Sequence, residues 1–246
     1  MQFIAKAYRS LGHWAWPGLC RLCDHWGSGA VCPSCKAQHI HHVPRCQRCA
    51  LPSAQAVCQA CQDTPPPWQR CAAALPYAEP WRHLIADFKF HADTGLARLL
   101  GPILRHEAAL GGLLSTAERV LPVPLSQARL RERGFNQSLL LAKALQHPHV
   151  LPQGLLRLRH TPAQAGLPRH ERLLNLTHAF ACNPRHIEDV RDRQVLLVDD
   201  VMTTGSTLQA CTQALLQAGV KQVDVLVLAR ADRPNQPEAP QSAPAH

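Results

Sequence analysis

The sequence is short of aromatic residues, acidic residues and long apolar stretches, and each shortage narrows what the chain can be. Only 5% of its 246 residues are Phe, Trp or Tyr. Single-stranded nucleic acid is held largely by stacking bases on such rings. The indoles available for that near the N-terminal half are Trp14, Trp16 and Trp26, then Trp68 and Trp81. No run approaches the ~18 apolar residues of a spanning helix, so no membrane span is expected. The opening MQFIAKAYRSLGHWAWPGLC lacks the long apolar core of a secretion signal and reads as an amphipathic lead-in helix over residues 1–19. A cytoplasmic location follows as the expectation. Two nucleotide-binding signatures are missing as well. There is no Gly-x-x-x-x-Gly-Lys-Ser/Thr loop, and no Gly-x-Gly-x-x-Gly follows a strand.

The shortage of acid leaves 17 Asp and Glu against 26 Lys and Arg, a formal charge of +9. A zinc ion held by four thiolates carries a net −2, so two such sites would bring the charge to about +5. The basic excess is therefore weaker evidence for a nucleic-acid partner than it looks. Its distribution says more. Between Arg129 and Arg172 there are eight Lys or Arg against two acidic residues.

Cysteine, by contrast, is plentiful, and its spacing is regular. Cys20-x-x-Cys23, Cys32-x-x-Cys35, Cys46-x-x-Cys49 and Cys58-x-x-Cys61 are four pairs separated by eight, ten and eight residues. A Cys-x-x-Cys knuckle presents two thiolates to one metal, and two knuckles complete a tetrahedron. A reducing cytoplasm does not maintain disulfides, so structural zinc is the reading. Sequential pairing joins Cys20, Cys23, Cys32 and Cys35 at one ion and Cys46, Cys49, Cys58 and Cys61 at another; interleaved pairing is the alternative. Cys71, Cys182 and Cys211 stand alone and read as small apolar fillers.

Residues 20–63 then form a double zinc ribbon, too small and loop-rich to fold on a core alone. A Pro-rich linker follows over 64–70, and a larger domain spans 71–231. The segment 232–246, rich in Pro, Gln and Ala, reads as a disordered tail. Within the larger domain, helical spacing covers 81–90, 95–110, 134–146 and 169–176, while 119–125 and 155–159 read as strands. VLLVDD, ending at Asp200, and VDVLVLAR, 223–230, are continuous apolar runs typical of buried parallel strands. Strands alternating with helices give an α/β domain with a mostly parallel sheet covered on both faces.

VLLVDDVMTTGSTLQAC, 195–211, carries the chemistry. Ligands of open α/β sheets sit at the carboxyl ends of strands. There, two adjacent carboxylates precede a hydroxyl-rich loop that feeds a helix N-terminus. Free N–H groups and the helix dipole favour an anion, Thr and Ser add donors, and Gly205 lets the backbone approach closely. That is a cradle for one phosphate. Asp199 and Asp200 suit vicinal hydroxyls, because a carboxylate only accepts and a diol donates twice. Phosphate plus diol describes a ribose 5-phosphate.

VLLVDDVMTTGST resembles the phosphoribosyl-pyrophosphate (PRPP) motif of type I phosphoribosyltransferases. The resemblance implies Asp199 and Asp200 on the ribose hydroxyls and Thr203, Thr204, Gly205, Ser206 and Thr207 around the 5-phosphate. Asp199, Asp200 and Thr203 become the catalytic positions. Some purine-salvage members carry an acid at the Thr203 position as base, and threonine cannot serve so at neutral pH. LPVPLSQARLRERGFNQSLLLAKAL and LLRLRHTPAQAGLPRHERLLNLTHAF further resemble the ComF family, from about Cys20 to Arg230. That family joins a double zinc ribbon to a phosphoribosyltransferase domain and is linked to competence and incoming single-stranded DNA.

The expectations that follow are PRPP with Mg²⁺ as ligand and phosphoribosyl transfer with pyrophosphate release. Arg131, Arg133, Asn136 and Gln137 would face the pyrophosphate. Gln164, Arg169, Arg172 and Asn175 would sit on a closing hood. Lys89 matches a lysine position in ComF-like chains, with no role assigned. Single-stranded DNA and DNA-uptake proteins are candidate partners, and the ribbons could also form a homo-oligomer interface. The competing reading is a non-catalytic adaptor that senses PRPP or a nucleotide and binds DNA or protein through its zinc ribbons.

Overall fold

The computed structural model describes residues 17–28, 31–40, 43–90, 94–158 and 179–232. Most of the lead-in helix, the hood positions Gln164, Arg169, Arg172 and Asn175, the helix expected over 169–176 and nearly all of the tail lie outside the described residues. The chain divides into two compact units, Met1–His42 and Val43–His246.

In the first unit, β1 (Pro17–Leu19) pairs antiparallel with β2 (Trp26–Ser28), and α1 (Pro33–His39) follows. The hairpin turn carries the Cys20–Cys23 knuckle. Cys32 caps α1, its Sγ accepting the Cys35 N–H at 3.4 Å.

The second unit opens with a second knuckle pair closed by α2 (Gln59–Asp63). Its main sheet has four strands: β3 (Cys71–Pro76), β4 (Arg119–Pro122), β7 (Gln194–Met202) and β8 (Gln222–Arg230). Their order is β3-β8-β7-β4, and every pairing is parallel. A two-stranded antiparallel ribbon of β5 (Leu155–Arg157) and β6 (Phe180–Cys182) lies apart from it. Odd-numbered Ala73, Leu121, Val195, Leu197, Val225 and Val227 share one core with Leu208, Cys211 and Leu215 of the Ser206–Gln217 helix. Side chains alternate along a strand, so buried Leu196, Val198, Leu226 and Leu228 point to the opposite face. The helices α4 (Leu96–Leu110) and α7 (Gln137–Ala144) pack against the sheet, α4 on β3 and α7 on β4 and β7. Cys71, Cys182 and Cys211 are buried among apolar neighbours, the filler role their isolation implied.

Three local features differ from the sequence expectation. The strand at 119 ends at Pro122 rather than 125. The arginines at 129, 131 and 133 ride on a short helix, α6 (Gln127–Arg133), started by Ser126, whose Oγ accepts the Arg129 N–H at 3.3 Å. Edge strand β3 is largely alanine, which carries little strand signal. On the other side, α3 (Trp81–Phe90) follows its apolar spacing, burying Trp81, Leu84, Ile85 and Phe88. No helix among the described residues is long and apolar enough to cross a membrane.

Candidate functional site

The cysteines resolve into two sequential quartets, Cys20/Cys23/Cys32/Cys35 and Cys46/Cys49/Cys58/Cys61. Within each quartet all Sγ atoms lie within 4.8 Å of one another. None of the cysteines is in a disulfide. A tetrahedral ion with Zn–S near 2.3 Å places sulfurs about 3.8 Å apart. Cys23 and Cys32 are 3.8 Å apart and Cys49 and Cys58 are 3.7 Å apart, so both donor sets fit zinc.

The two quartets share one design. In each, the residue after the first knuckle adopts positive φ, Asp24 at 56° and Ala50 at 57°. In each, the third cysteine's N–H donates to the first sulfur at 3.3 Å. Such donation prepares a thiolate. Burial works against the charge at Cys46, but N–H groups of Cys58, Arg48 and Cys49 outweigh it and bring the thiol down to about 7. Cys49 is instead pushed up to about 11, by burial and the charge of Cys46. Metal binding releases the protons that such thiols retain.

The second site lies where β7 ends. Asp199 Oδ1 accepts from the Ser138 Oγ at 2.9 Å and from the Asp200 N–H at 2.9 Å. Asp200 Oδ1 accepts the Val201 N–H at 2.6 Å, and its Oδ2 meets Lys89 Nζ at 3.1 Å. Burial and the neighbouring Asp200 charge raise Asp199 to about 7, opposed by these hydrogen bonds and by Lys89. Asp199 therefore sits near its protonation boundary in neutral solution, and Lys89 faces the neighbouring Asp200.

The loop beyond turns at Gly205, whose φ of +81° is costly for any residue with a Cβ. A Cβ there would lie 2.8 Å from Met202 Cε and 3.3 Å from the Trp68 ring. Gly205 also leaves the following helix without a side-chain cap. In contrast, α6 is capped by Ser126 and α7 by Asn136. First-turn N–H groups have no intrahelical acceptor. Locally, Thr204 Oγ1 receives only the Ser206 N–H, at 3.4 Å, and pairs with Ser206 Oγ at 2.9 Å. Thr203 is exposed, Thr204 and Thr207 half-buried, and Ser206 buried. The unfilled end of this helix and the two carboxylates are adjacent in the chain.

Of the four residues expected to face pyrophosphate, the structure joins Arg133 to Gln137, with Asn136 preceding Gln137 as the cap of α7. Arg133 stacks on Phe90 with its Cζ 4.9 Å from the ring centroid, and its Nη1 donates to Gln137 Oε1 at 3.3 Å. Its Nε is buried with no hydrogen-bond partner. Burial lowers the Arg133 pKa, offset by the charge of Asp200; a guanidinium remains cationic regardless. Gln137, fully buried, also donates to the Lys89 carbonyl at 3.4 Å. Asn136 is occupied at both ends. Its Oδ1 caps α7 by accepting from Ser138 N–H at 3.0 Å, and its Nδ2 donates to the Val123 carbonyl at 3.0 Å. Arg131 is exposed on α6.

Sequence reasoning passed over Ser138, which steadies Asp199, and left Lys89 without a role. It also gave no part to Arg230, buried beneath the loop. Arg230 Nη1 donates to the carbonyls of Met202 at 2.9 Å and Thr203 at 2.5 Å. No local motif announces these residues. Only the lysine between two phenylalanines in FKF stood out.

The phosphoribosyl transferase domain family matches residues 152–245. The "DNA utilization protein YhgH" of Shigella flexneri is 36% identical over 229 residues, covering 87% of this chain and 97% of that protein. "Competence protein F" of Haemophilus influenzae is 36% identical over 221 residues, covering 86% and 95%. "Competence protein ComFC" of Bacillus subtilis is 28% identical over 211 residues, covering 77% and 79%. The first two relatives are covered along nearly their whole length at 36% identity, and on that ground the chain belongs to the ComF family.

Proposed function

We propose that this protein binds PRPP with Mg²⁺ and transfers its phosphoribosyl group to a nitrogen nucleophile, releasing pyrophosphate. One observation carries the reading: paired carboxylates lie near the carboxyl end of β7, and the loop beyond feeds a helix whose N-terminus has no side-chain cap. An anionic 5-phosphate fills the second feature and a ribose diol the first. Asp199 and Asp200 accept from the hydroxyls. Thr203, Thr204, Gly205, Ser206 and Thr207 surround the phosphate. Arg133, with its unpartnered Nε, and Arg131 face the pyrophosphate, while Gln137 braces Arg133 and Asn136 caps α7.

Mg²⁺, when bound with PRPP, would supply charge that offsets the leaving pyrophosphate. In the transfer, the bond from C1 of the ribose to the pyrophosphate oxygen breaks and its electron pair leaves with pyrophosphate. Cationic character grows on the sugar, and the acceptor nitrogen forms the new bond. The protein's part is electrostatic: guanidinium groups and Lys89 arranged in advance around the developing anion. Thr203 offers no base, so the reading favours acceptors that are nucleophilic without help from that position.

The test is calorimetric titration of the zinc-loaded protein with PRPP and Mg²⁺, beside Asp199→Asn/Asp200→Asn. Binding by the parent alone is expected, and pyrophosphate release then screens acceptors. A folded parent that binds no PRPP removes the proposal.

A second reading is favoured by the first unit. Trp26 is 75% exposed and Leu19 50% exposed on the hairpin that carries the first knuckle. An uncovered indole there suits stacking on a single-stranded base or contact with a protein. The names of the relatives, in DNA utilization and competence, support a role in handling DNA. In that reading the PRPP site senses rather than catalyses. Trp26→Ala would then weaken single-strand binding, and unchanged binding would remove the adaptor.

A further inference from the structure

The second cysteine quartet is tied to the phosphate loop at several points. Arg230, buried at the end of β8, donates through Nε to the Cys49 carbonyl at 2.8 Å. Through Nη1 the same side chain holds the Met202 and Thr203 carbonyls. One guanidinium thus spans from a metal-ligating knuckle to the backbone that precedes Gly205. Trp68 makes a parallel link. Its Nε1 donates to the Arg48 carbonyl, inside the Cys46–Cys49 knuckle, at 2.6 Å, and its ring lies against Gly205. Cys71 makes another. Its N–H donates to the Gln47 carbonyl at 2.7 Å, and its Sγ lies 3.9 Å from Met202 Sδ. Three successive knuckle residues after Cys46 therefore present carbonyls to side chains or backbone that touch Met202, Thr203 or Gly205.

We propose that the second quartet and the phosphate loop form one coupled unit, with Arg230 and Trp68 as positioning residues through which metal occupancy sets the conformation of Met202–Gly205. The proposal rests on the reading of that loop as the phosphate site. The physical basis is the direction of the knuckle carbonyls. With four thiolates on one ion the Cys46–Cys49 turn is fixed, and its carbonyls aim at Arg230 and Trp68. Without the ion, the four thiols lose the metal bonds that would fix them within 4.8 Å of one another. The turn then relaxes and the acceptors move. Arg230 is suited to the task because its planar fork donates in several fixed directions, which a lysine ammonium cannot reproduce. The linkage is reciprocal, so a ligand on the loop raises the zinc affinity of this quartet by the factor by which zinc raises ligand affinity, roughly 5- to 150-fold for typical couplings.

Hydrogen exchange on the full-length, zinc-loaded chain tests this without any ligand. In Cys58→Ser/Cys61→Ser, amides of residues 203–207 should exchange roughly tenfold faster or more while those of β7 and β8 remain protected. Arg230→Lys and Trp68→Phe should loosen the same loop with both zinc ions still bound, as counted by native mass spectrometry. That last readout separates coupling from a merely structural role, since zinc retention and sheet protection stay fixed while the loop alone responds. Unchanged loop protection in Arg230→Lys and Trp68→Phe overturns the proposal, including where the double serine variant unfolds as a whole. The titration with PRPP and Mg²⁺ on the same proteins is read separately. A parent that binds none refutes the phosphate reading, whereas the exchange result still decides the coupling.

Discussion

Replacing Lys89 with methionine removes the cation facing Asp200 while keeping much of the stem's bulk, and its effect should depend on pH. Lys89 Nζ and Asp200 Oδ2 are 3.1 Å apart, with side-chain exposures of 15% and 12%. At an effective dielectric near 20 that attraction is about 5 kcal/mol before desolvation. Lys89 also lowers the pKa of Asp199, which burial and Asp200 have raised from 3.8 to about 7. An acid whose folded pKa is raised holds its proton more tightly when folded. Stability from this group is therefore full below the unfolded value of 3.8 and is lost as pH rises toward about 7. At about 1.4 kcal/mol per unit, the loss across that window is on the order of 4 kcal/mol. Without Lys89 the upper edge of that window moves higher.

Urea unfolding of parent and Lys89→Met, followed by circular dichroism from pH 6 to 9, should therefore show a difference that widens through and above pH 7. Other titrating groups cancel in the comparison. The midpoint for binding PRPP with Mg²⁺ should shift upward in parallel, because the diol needs accepting carboxylates. A constant offset across the whole range would refute the reasoning, since it would mean that Lys89 contributes packing alone.

Two further substitutions separate the loop from the scaffold. Gly205→Ala places a Cβ at positive φ against Met202 and Trp68, costing about 1–3 kcal/mol and weakening PRPP binding; denaturation and titration equal to the parent would contradict the geometry. Asp224→Ala removes a buried carboxylate that accepts the Arg70 N–H at 3.0 Å and Arg70 Nη2 at 2.6 Å. It should lower stability by about 2–4 kcal/mol, seen as a reduced melting temperature, yet leave PRPP affinity intact below the transition. A loss of affinity there would show that the far end of β8 communicates with the loop.

The parallel sheet was legible because β7 and β8 are continuous apolar runs, and such runs have few other destinations than a sheet covered on both faces. The zinc ligands were legible because ligand spacing is local. Their pairing was not, since either partition satisfies the spacing; the hairpin at Cys20–Cys23 and the capping positions of Cys32 and Cys58 decide for sequential quartets. The position of Asp199 and Asp200 at the end of β7 was evident from the apolar run before them. What escaped is long-range. Ser138 reaches Asp199 across 61 residues, Lys89 meets Asp200 from a helix far upstream, and Arg230 reaches Cys49 across 181. Nothing in a short window specifies such contacts. Arg131 and Arg133 read as equivalent in sequence, yet a short helix leaves one exposed and lays the other on Phe90.

The order of the sheet has a consequence for how the chain is made. Among the described residues β3 lies at one edge and pairs only with β8, Cys71 opposite Val225. A ribosome exposes β3 about 150 residues before its partner exists, at ordinary elongation rates many seconds earlier. The quartet just before it needs only the 16 residues from Cys46 to Cys61, so metal can fold that segment while the sheet is still being synthesised. β8 then inserts between β3 and β7 as the last strand of the sheet. With zinc in that quartet, nascent chains would be led by a metal-closed segment beside an unpaired edge, and zinc supply during translation would bear on the yield of folded protein as well as on its stability afterwards.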